Sequence, residues 1–203
     1  MDILKKSFIL FLSLFVIANL KAQDLKTAFK TSYDLEKNGK YINAIEQLKT
    51  VYDENSYEIN LRLGWLSYLA GNFTESISYY NKAITLMPLS IEAYLGLVYP
   101  ASAVGNWNQV IDAYNKILTI DKQNKIANYK LGYIYYYRKN YEKAYHYFQG
   151  LVNNYPFDYN YLIMFAWTNL NLGKTREAKV LFNKVLLISP DDTSAKDGLK
   201  KIK

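Results

Sequence analysis

Few residues of this 203-residue chain have the types and spacing that catalysis requires. His146 is the single histidine, and the chain has no cysteine that could act beside it as a nucleophile or metal ligand. Asp191 and Asp192 precede a helical pattern, where helix capping explains them better than metal binding does. The sequence contains no phosphate-binding glycine loop, nucleophile elbow, zinc-protease helix motif or calcium loop. We therefore predict a protein that is not an enzyme, with no catalytic, metal-binding or cofactor-binding residues.

Aromatic residues, in contrast, recur at a regular spacing that suits non-covalent binding. Tyr33, Trp65, Tyr99, Tyr133 and Trp167 stand 34 residues apart, except for a first interval of 32. Spacings of three and four residues keep side chains on one face of a helix. On that basis the same face also carries Phe29, Tyr68, Tyr129 and Tyr136. Aromatic rings give much contact area for little conformational entropy, so these nine residues are the candidate partner-binding residues.

The same period organises the whole chain from residue 24 onward. A turn recurs at Gly39, Gly71, Gly105, Lys139 and Gly173. After each turn, apolar residues follow the spacing i, i+1, i+4, i+7, i+8 of one α-helical face, with Lys179 as the exception. These positions are Ala44/Ile45/Leu48/Val51/Tyr52, Ser76/Ile77/Tyr80/Ala83/Ile84, Val110/Ile111/Tyr114/Ile117/Leu118, Ala144/Tyr145/Phe148/Leu151/Val152 and Ala178/Lys179/Phe182/Val185/Leu186. Self-similarity of this length indicates stacked helix pairs.

The sequence resembles the tetratricopeptide repeat family. One copy matches the family pattern at Leu63, Gly64, Ser76, Tyr80, Ala83 and Pro88, and another matches at Leu131, Gly132, Tyr135, Ala144, Phe148 and Pro156. The resemblance implies an all-α, right-handed superhelical solenoid of about five helix–turn–helix repeats over residues 24–192. The tail, residues 193–203, is interpreted as a C-terminal cap helix that begins near Asp192, although Gly198 weakens a helix there. The resemblance also implies that the first helices line a concave groove.

The third repeat is expected to be irregular. Val98 and Val110 are branched residues at the two positions where the other repeats place small ones, so its helices should lie farther apart. Pro100 lies inside a helical pattern, and Gly96 stands four residues before it, where a proline ring strikes the backbone. We expect a bend in this helix rather than a break.

The N-terminal segment has the pattern of an export signal. Lys5 and Lys6 precede an apolar run of 14 residues, which is short for a membrane span of about 20. We interpret residues 1–22 as a secretory signal peptide and expect a periplasmic or secreted protein without stable membrane insertion after cleavage. An uncleaved anchor is the alternative. Because the formal charge of +7 is modest and part of it lies in this segment, we do not expect nucleic acid as a partner.

These features together predict a non-enzymatic scaffold or adaptor of the cell envelope. Its partner would be another protein, bound through an apolar or aromatic peptide segment in the aromatic groove. A carbohydrate-binding module that uses the same rings as stacking platforms is the alternative. A second alternative is structural, because aromatic stripes often pack against the next helix instead of facing a ligand.

Overall fold

The computed structural model describes residues 24–202, and within this range the regular secondary structure is helical. The predicted signal peptide, residues 1–22, lies outside the described residues. The helices are α1 (24–37), α2 (Tyr41–Lys49), α3 (Tyr57–Leu69), α4 (Phe73–Leu86), α5 (Ile91–Ala103), α6 (Trp107–Ile120), α7 (Lys125–Tyr137), α8 (Tyr141–Asn154), α9 (Tyr159–Asn171), α10 (Thr175–Ile188) and α11 (Thr193–Lys201). The predicted all-α class and the alternation of paired helices are confirmed.

The first helix of each pair, from α3 onward, begins at a side-chain N-cap. Ser56, Ser90, Asn124, Asp158 and Asp192 each accept a hydrogen bond from the backbone N–H three residues later, at 2.7–3.2 Å. The caps satisfy backbone donors that the first turn of a helix leaves free. They stand 34 residues apart, so the repeat period also sets where these helices begin. Of the five, only Asp192 was expected from the sequence.

The two helices of each pair are joined by the same tight turn. Its central residue has positive φ at Gly39, Gly71, Gly105 and Gly173, with values of 70–79°, and at Lys139, with 58°. The next backbone N–H donates to the carbonyl five residues earlier, as in Asn72 N to Ser67 O at 2.8 Å. Glycine suits this conformation because it has no Cβ to clash. The predicted turn positions are therefore confirmed, including the copy with lysine.

The chain divides into two compact units, one ending at Val110 and one beginning at Ile111. In the first unit, α3 packs against α2, α4 and α5, and buried residues of α1, α2 and α3 share one apolar cluster. In the second unit, α7 packs on α8, α8 on α9, α9 on α10, and α11 closes on α9 and α10. The division falls within α6, the second helix of the predicted third repeat.

The predicted apolar faces of the second helices are largely buried, with one correction in α2 and, in α10, the exception that the sequence predicted. Val51 and Tyr52 lie beyond the end of α2, and Tyr52 is exposed, because α2 is only 9 residues long. In α10, Lys179 is exposed and Leu181 takes the buried place beside Phe182. Leu181, three residues after Ala178, therefore completes the buried face of α10 in place of Lys179.

Glycines of the first helices make room for aromatic rings of the second helices. A Cβ added at Gly64 would lie 3.0 Å from the Tyr80 ring, and one at Gly96 would lie 2.2 Å from it. Gly132 faces Phe148 in the same way, and Gly198 of α11 faces Phe182 at 2.2 Å. The structure therefore gives Gly96 a role that the sequence did not predict, and it corrects the interpretation of Gly198. Gly96 accommodates Tyr80, and Gly198 is what lets the cap helix pack closely.

The irregular third repeat is only partly tested by the structure. Helix α5 continues through Pro100, so the expectation that proline does not break it is confirmed. Pro100 is itself buried, as is Val98. The expected bend near Gly96–Pro100 and the wider separation of the two helices stay predictions.

Two mid-helix glycines give a matched test of this packing. Gly96→Ala should lower the free energy of unfolding, because overpacking a buried ring costs about 1–3 kcal/mol. Gly150→Ala in α8 should raise it by about 1 kcal/mol, because nothing lies within 4 Å of the new Cβ and alanine favours helix. Urea unfolding of both variants checks this. Equal shifts in the two variants would show that the ring of Tyr80 does not require the glycine.

Candidate partner-binding groove

Four of the nine candidate residues line one groove in the first unit. Phe29 and Tyr33 come from α1, Trp65 from α3 and Tyr99 from α5. Leu61, Leu95 and the buried Tyr80 add apolar surface, and the cavity measures about 770 Å³. The first helices supply almost the whole lining, as the family resemblance implied.

The rings of this groove contact one another and still expose much of their surface. Trp65 meets Tyr99 edge to face, with ring centroids 6.0 Å apart. Tyr68 packs beside both, at 5.7 Å from Trp65 and 5.5 Å from Tyr99. Tyr33 remains 55% exposed and Tyr99 52% exposed, whereas Trp65 is half-buried. These rings are therefore partly packed and partly open.

An arginine that sequence reasoning missed lies in the wall of this groove. Arg62 of α3 is 93% buried and forms an ion pair with Glu36 of α1. Its Nε donates to Ser32 Oγ at 3.2 Å, and the Tyr33 ring lies 3.8 Å from its guanidinium carbon. Glu36 also accepts from Trp65 Nε1 at 2.7 Å, so one carboxylate orients two groove residues. The equivalent Lys130 in α7 is exposed, so the repeat pattern gives no sign that Arg62 is buried.

Three further candidates belong to a tyrosine cluster in the second unit. Tyr133 lies 4.5 Å from Tyr137 and 6.2 Å from Tyr129, between ring centroids. Tyr136 lies 5.4 Å from Tyr137 and accepts a hydrogen bond from Asn171 Nδ2 at 3.2 Å. Tyr133 is 41% exposed, and Tyr129 and Tyr136 are half-buried. These three candidates lie close together in the structure. Their role in binding stays a prediction.

Trp167 packs against the cap helix. Its Nε1 donates to Ser194 Oγ of α11 at 2.8 Å, and its ring lies edge to face on Phe182 at 5.2 Å. Lys201 Nζ lies 5.1 Å from the ring centroid. The alternative interpretation, a ring packed against the next helix, therefore describes Trp167 better than an open groove position does.

The remaining chemistry of residues 24–202 is sparse. His146 is exposed and lies beside Tyr145, with ring centroids 5.9 Å apart. No group of three or more histidine, aspartate or glutamate side chains in this range is placed to hold a metal ion. No helix of the same range is long and apolar enough to cross a membrane.

Comparison with known proteins identifies the family. Three models described as tetratricopeptide repeat match residues 29–91, 127–158 and 159–192, which together make up more than half of the chain. This chain belongs to the tetratricopeptide repeat family. Proteins of this fold generally mediate protein–protein interactions and are generally non-enzymatic scaffolds.

A curated relative supports the same family. The chain is 27% identical over 157 residues to the TPR repeat-containing protein YpiA of Bacillus subtilis (strain 168). The alignment covers 76% of this chain and 37% of that protein, so the chain spans well under half the length of its curated relative.

Solved structures share the tetratricopeptide fold. A tetratricopeptide repeat protein from Parabacteroides merdae ATCC 43184 has a TM-score of 0.74 at 20% identity, covering 89% of this chain and 72% of that one. The MamA protein has a TM-score of 0.70 at 23% identity, covering 82% and 92%. MamA from Desulfovibrio magneticus RS-1 has a TM-score of 0.68 at 17% identity, covering 84% and 97%. Identities this low show the fold alone.

The tyrosine cluster of the second unit gives a testable electrostatic consequence. A hydrogen bond with the Tyr137 hydroxyl, together with burial, raises the pKa of Tyr133 to about 12. Tyr137→Phe removes that hydroxyl, so the pKa of Tyr133 should fall back toward 10. Titration followed by NMR of ¹³Cζ-labelled tyrosine measures it.

The same shift has a defined effect on stability. Because the folded pKa lies above the unfolded value of 10.0, the folded chain retains the Tyr133 proton longer as pH rises. Stability should therefore fall between about pH 10 and 12, and this fall should be shallower in Tyr137→Phe. An unchanged Tyr133 pKa in the variant would show that the hydroxyl contact does not control it.

Proposed function

We propose that this tetratricopeptide repeat protein is a non-enzymatic scaffold of the cell envelope that binds a segment of a partner protein in its aromatic groove. The observation that carries the proposal is the exposure of Tyr33 and Tyr99, each more than half exposed within one concave site. Exposed apolar surface of this kind generally marks a partner site. Tyrosine and tryptophan are also the side chains that dominate binding hot spots.

The form of the groove favours a peptide over a sugar. A cavity of about 770 Å³ accommodates a few side chains of an extended or helical segment. A sugar-stacking platform needs a flat ring face open to solvent. The Arg62 guanidinium takes one face of Tyr33, and Trp65 and Tyr99 stand at 77° to each other, so these rings do not form one flat platform. Apolar and aromatic side chains of a peptide suit such a surface better.

Location in the cell envelope is the second part of the proposal. It rests on Lys5 and Lys6 followed by the apolar run Ser7–Leu20, which has the length and flanks of a secretory signal peptide. Scaffolding of envelope proteins then requires export, release from the membrane and periplasmic or extracellular folding.

The groove can be tested with a phage-displayed library of random nonapeptides panned against the purified protein. Selected clones should bind much less well to Tyr33→Ala, to Tyr99→Ala and to the double variant, because these rings supply the contact area. Trp107→Ala is the matched control, since Trp107 is 47% exposed and lies outside the groove. Melting temperature should change little in all of these variants, because exposed rings contribute little to the core.

Two outcomes would contradict the groove proposal. One is that no clone is selected, and the other is that selected clones bind the double variant as well as they bind the original protein. A glycan array probed in parallel separates the alternative, because binding to sugars without binding to peptides would indicate a carbohydrate-binding module.

Export can be tested by intact mass and fractionation in a Gram-negative host. The mature protein should begin at or within a few residues of Gln23 and should be recovered without detergent. Retention of Met1 in a membrane fraction would instead support the uncleaved anchor.

A further inference from the structure

The groove of the first unit contains a buried hydrogen-bond donor for which the described part of the chain supplies no acceptor. Arg62 is 93% buried, and its Nε and Nη1 are engaged by Ser32 and Glu36. Its Nη2 has no hydrogen-bond partner among residues 24–202. Buried polar groups are almost always paired, because a donor removed from water without an acceptor is destabilising. An unpaired guanidinium nitrogen in the wall of a cavity therefore points to an acceptor supplied by a ligand.

The ring of Tyr33 lies over the guanidinium that carries this donor. This ring lies 3.8 Å from the guanidinium carbon and is part of the groove lining. Tyr33 is 55% exposed, so solvent reaches much of its surface despite this contact. Exposed side chains change rotamer on the picosecond to nanosecond timescale. Rotation of this one ring would open the guanidinium side of the groove to a bound segment.

The charges around the groove indicate what kind of acceptor fits. The positive charge of Arg62 is already offset by Glu36. Glu58 and Glu92 also line the groove, are exposed and form no ion pair with any described residue. Each accepts a hydrogen bond from a neutral hydroxyl, Glu58 from Ser56 Oγ at 3.0 Å and Glu92 from the Tyr57 hydroxyl at 3.4 Å. The groove is thus locally acidic on a chain whose formal charge is +7.

We propose that the groove recognises a basic apolar peptide segment, with a backbone carbonyl of the segment accepting from Arg62 Nη2 and a lysine or arginine lying beside Glu58 and Glu92. This inference rests on the proposed function and names the chemistry of its partner. A carboxylate ligand is disfavoured because two uncompensated carboxylates would repel it. A neutral carbonyl meets no such repulsion and is present at every residue of a peptide. The basic side chain of the segment is attracted by the two carboxylates and also makes a cation–π contact with Tyr99 or Trp65.

Three synthetic nonapeptides test the charge preference. Each is acetylated and amidated, carries the same leucines, and differs only in a central lysine, glutamine or glutamate. By isothermal titration calorimetry the lysine peptide should bind about three- to tenfold more tightly than the glutamine peptide, and the glutamate peptide should bind most weakly. The preference should shrink as salt is raised, because the carboxylates are exposed.

Matched variants show which carboxylates cause the preference for the lysine peptide. Glu58→Gln with Glu92→Gln should abolish the difference between the lysine and glutamine peptides. Glu46→Gln with Glu75→Gln removes the same charge from exposed positions outside the groove and should leave the difference intact. A glutamate peptide that binds as well as the lysine peptide would overturn the inference.

Arg62 is tested by substitution and by a direct spectroscopic signal. Arg62→Lys keeps the charge beside Glu36 but removes the Nη2 donor, so all peptides should weaken by about tenfold while keeping their order. Because this variant can also lose stability, NMR of the guanidinium groups gives an independent reading. The chain has three arginines, Arg62, Arg138 and Arg176, so the signals are readily assigned. Addition of the lysine peptide should slow proton exchange at the Arg62 Nη atoms alone.

These experiments distinguish a failure of this inference from a failure of the proposed function. If library clones depend on Tyr33 and Tyr99 but are acidic or neutral, the proposed function stands and this inference is wrong. Unchanged exchange at Arg62 on peptide binding would overturn the carbonyl contact. If neither the library nor the three peptides bind, both the proposed function and this inference fail.

Discussion

The contact between one buried ring and two glycines sets the geometry of the candidate site. Tyr80 of α4 lies against Gly64 of α3 and against Gly96 of α5, so a single side chain fixes how closely three helices approach. The same ring lines the groove from within. The distance between Trp65 on α3 and Tyr99 on α5 therefore depends on a residue that a partner would barely touch. Burial keeps this ring neutral, because it raises the pKa of Tyr80 well above the ordinary value for tyrosine.

Local features of this fold could be predicted from the sequence because they depend on a few neighbouring residues. A positive-φ turn needs glycine or a residue that tolerates that conformation, and the turns at Gly71 and Lys139 recur at the repeat period. Helix faces follow from apolar spacing, so residues such as Phe148 and Phe182 were placed correctly in the core. The error arose where a helix ended early, as at Tyr52, whereas the exposed Lys179 is the exception that the pattern already showed.

Features of the site that join distant helices could not be predicted in the same way. The pairing of Arg62 with Glu36 connects α3 to α1, and no periodic pattern reports it, because the equivalent Lys130 is exposed. Trp167 occupies the same repeat position as Trp65, yet α11 covers it through Ser194. Sequence periodicity gives the direction in which a side chain leaves its helix. Whether another element covers that side chain is decided by the neighbouring helix.

The repeats therefore share a scaffold and differ in the polar groups set into it. Caps, turns and ring–glycine contacts recur along the chain, whereas the buried arginine occurs in one first helix of the described residues. A donor that is buried without an acceptor makes the free chain less stable than a fully paired core would be. A ligand oxygen that accepts from Arg62 Nη2 pairs this donor on binding. Part of the affinity would then come from satisfying the buried donor, in addition to the apolar area buried. The aromatic walls by themselves accept many apolar segments. The donor adds selectivity, because a segment that cannot place an oxygen near Arg62 Nη2 leaves that buried donor unpaired and binds more weakly.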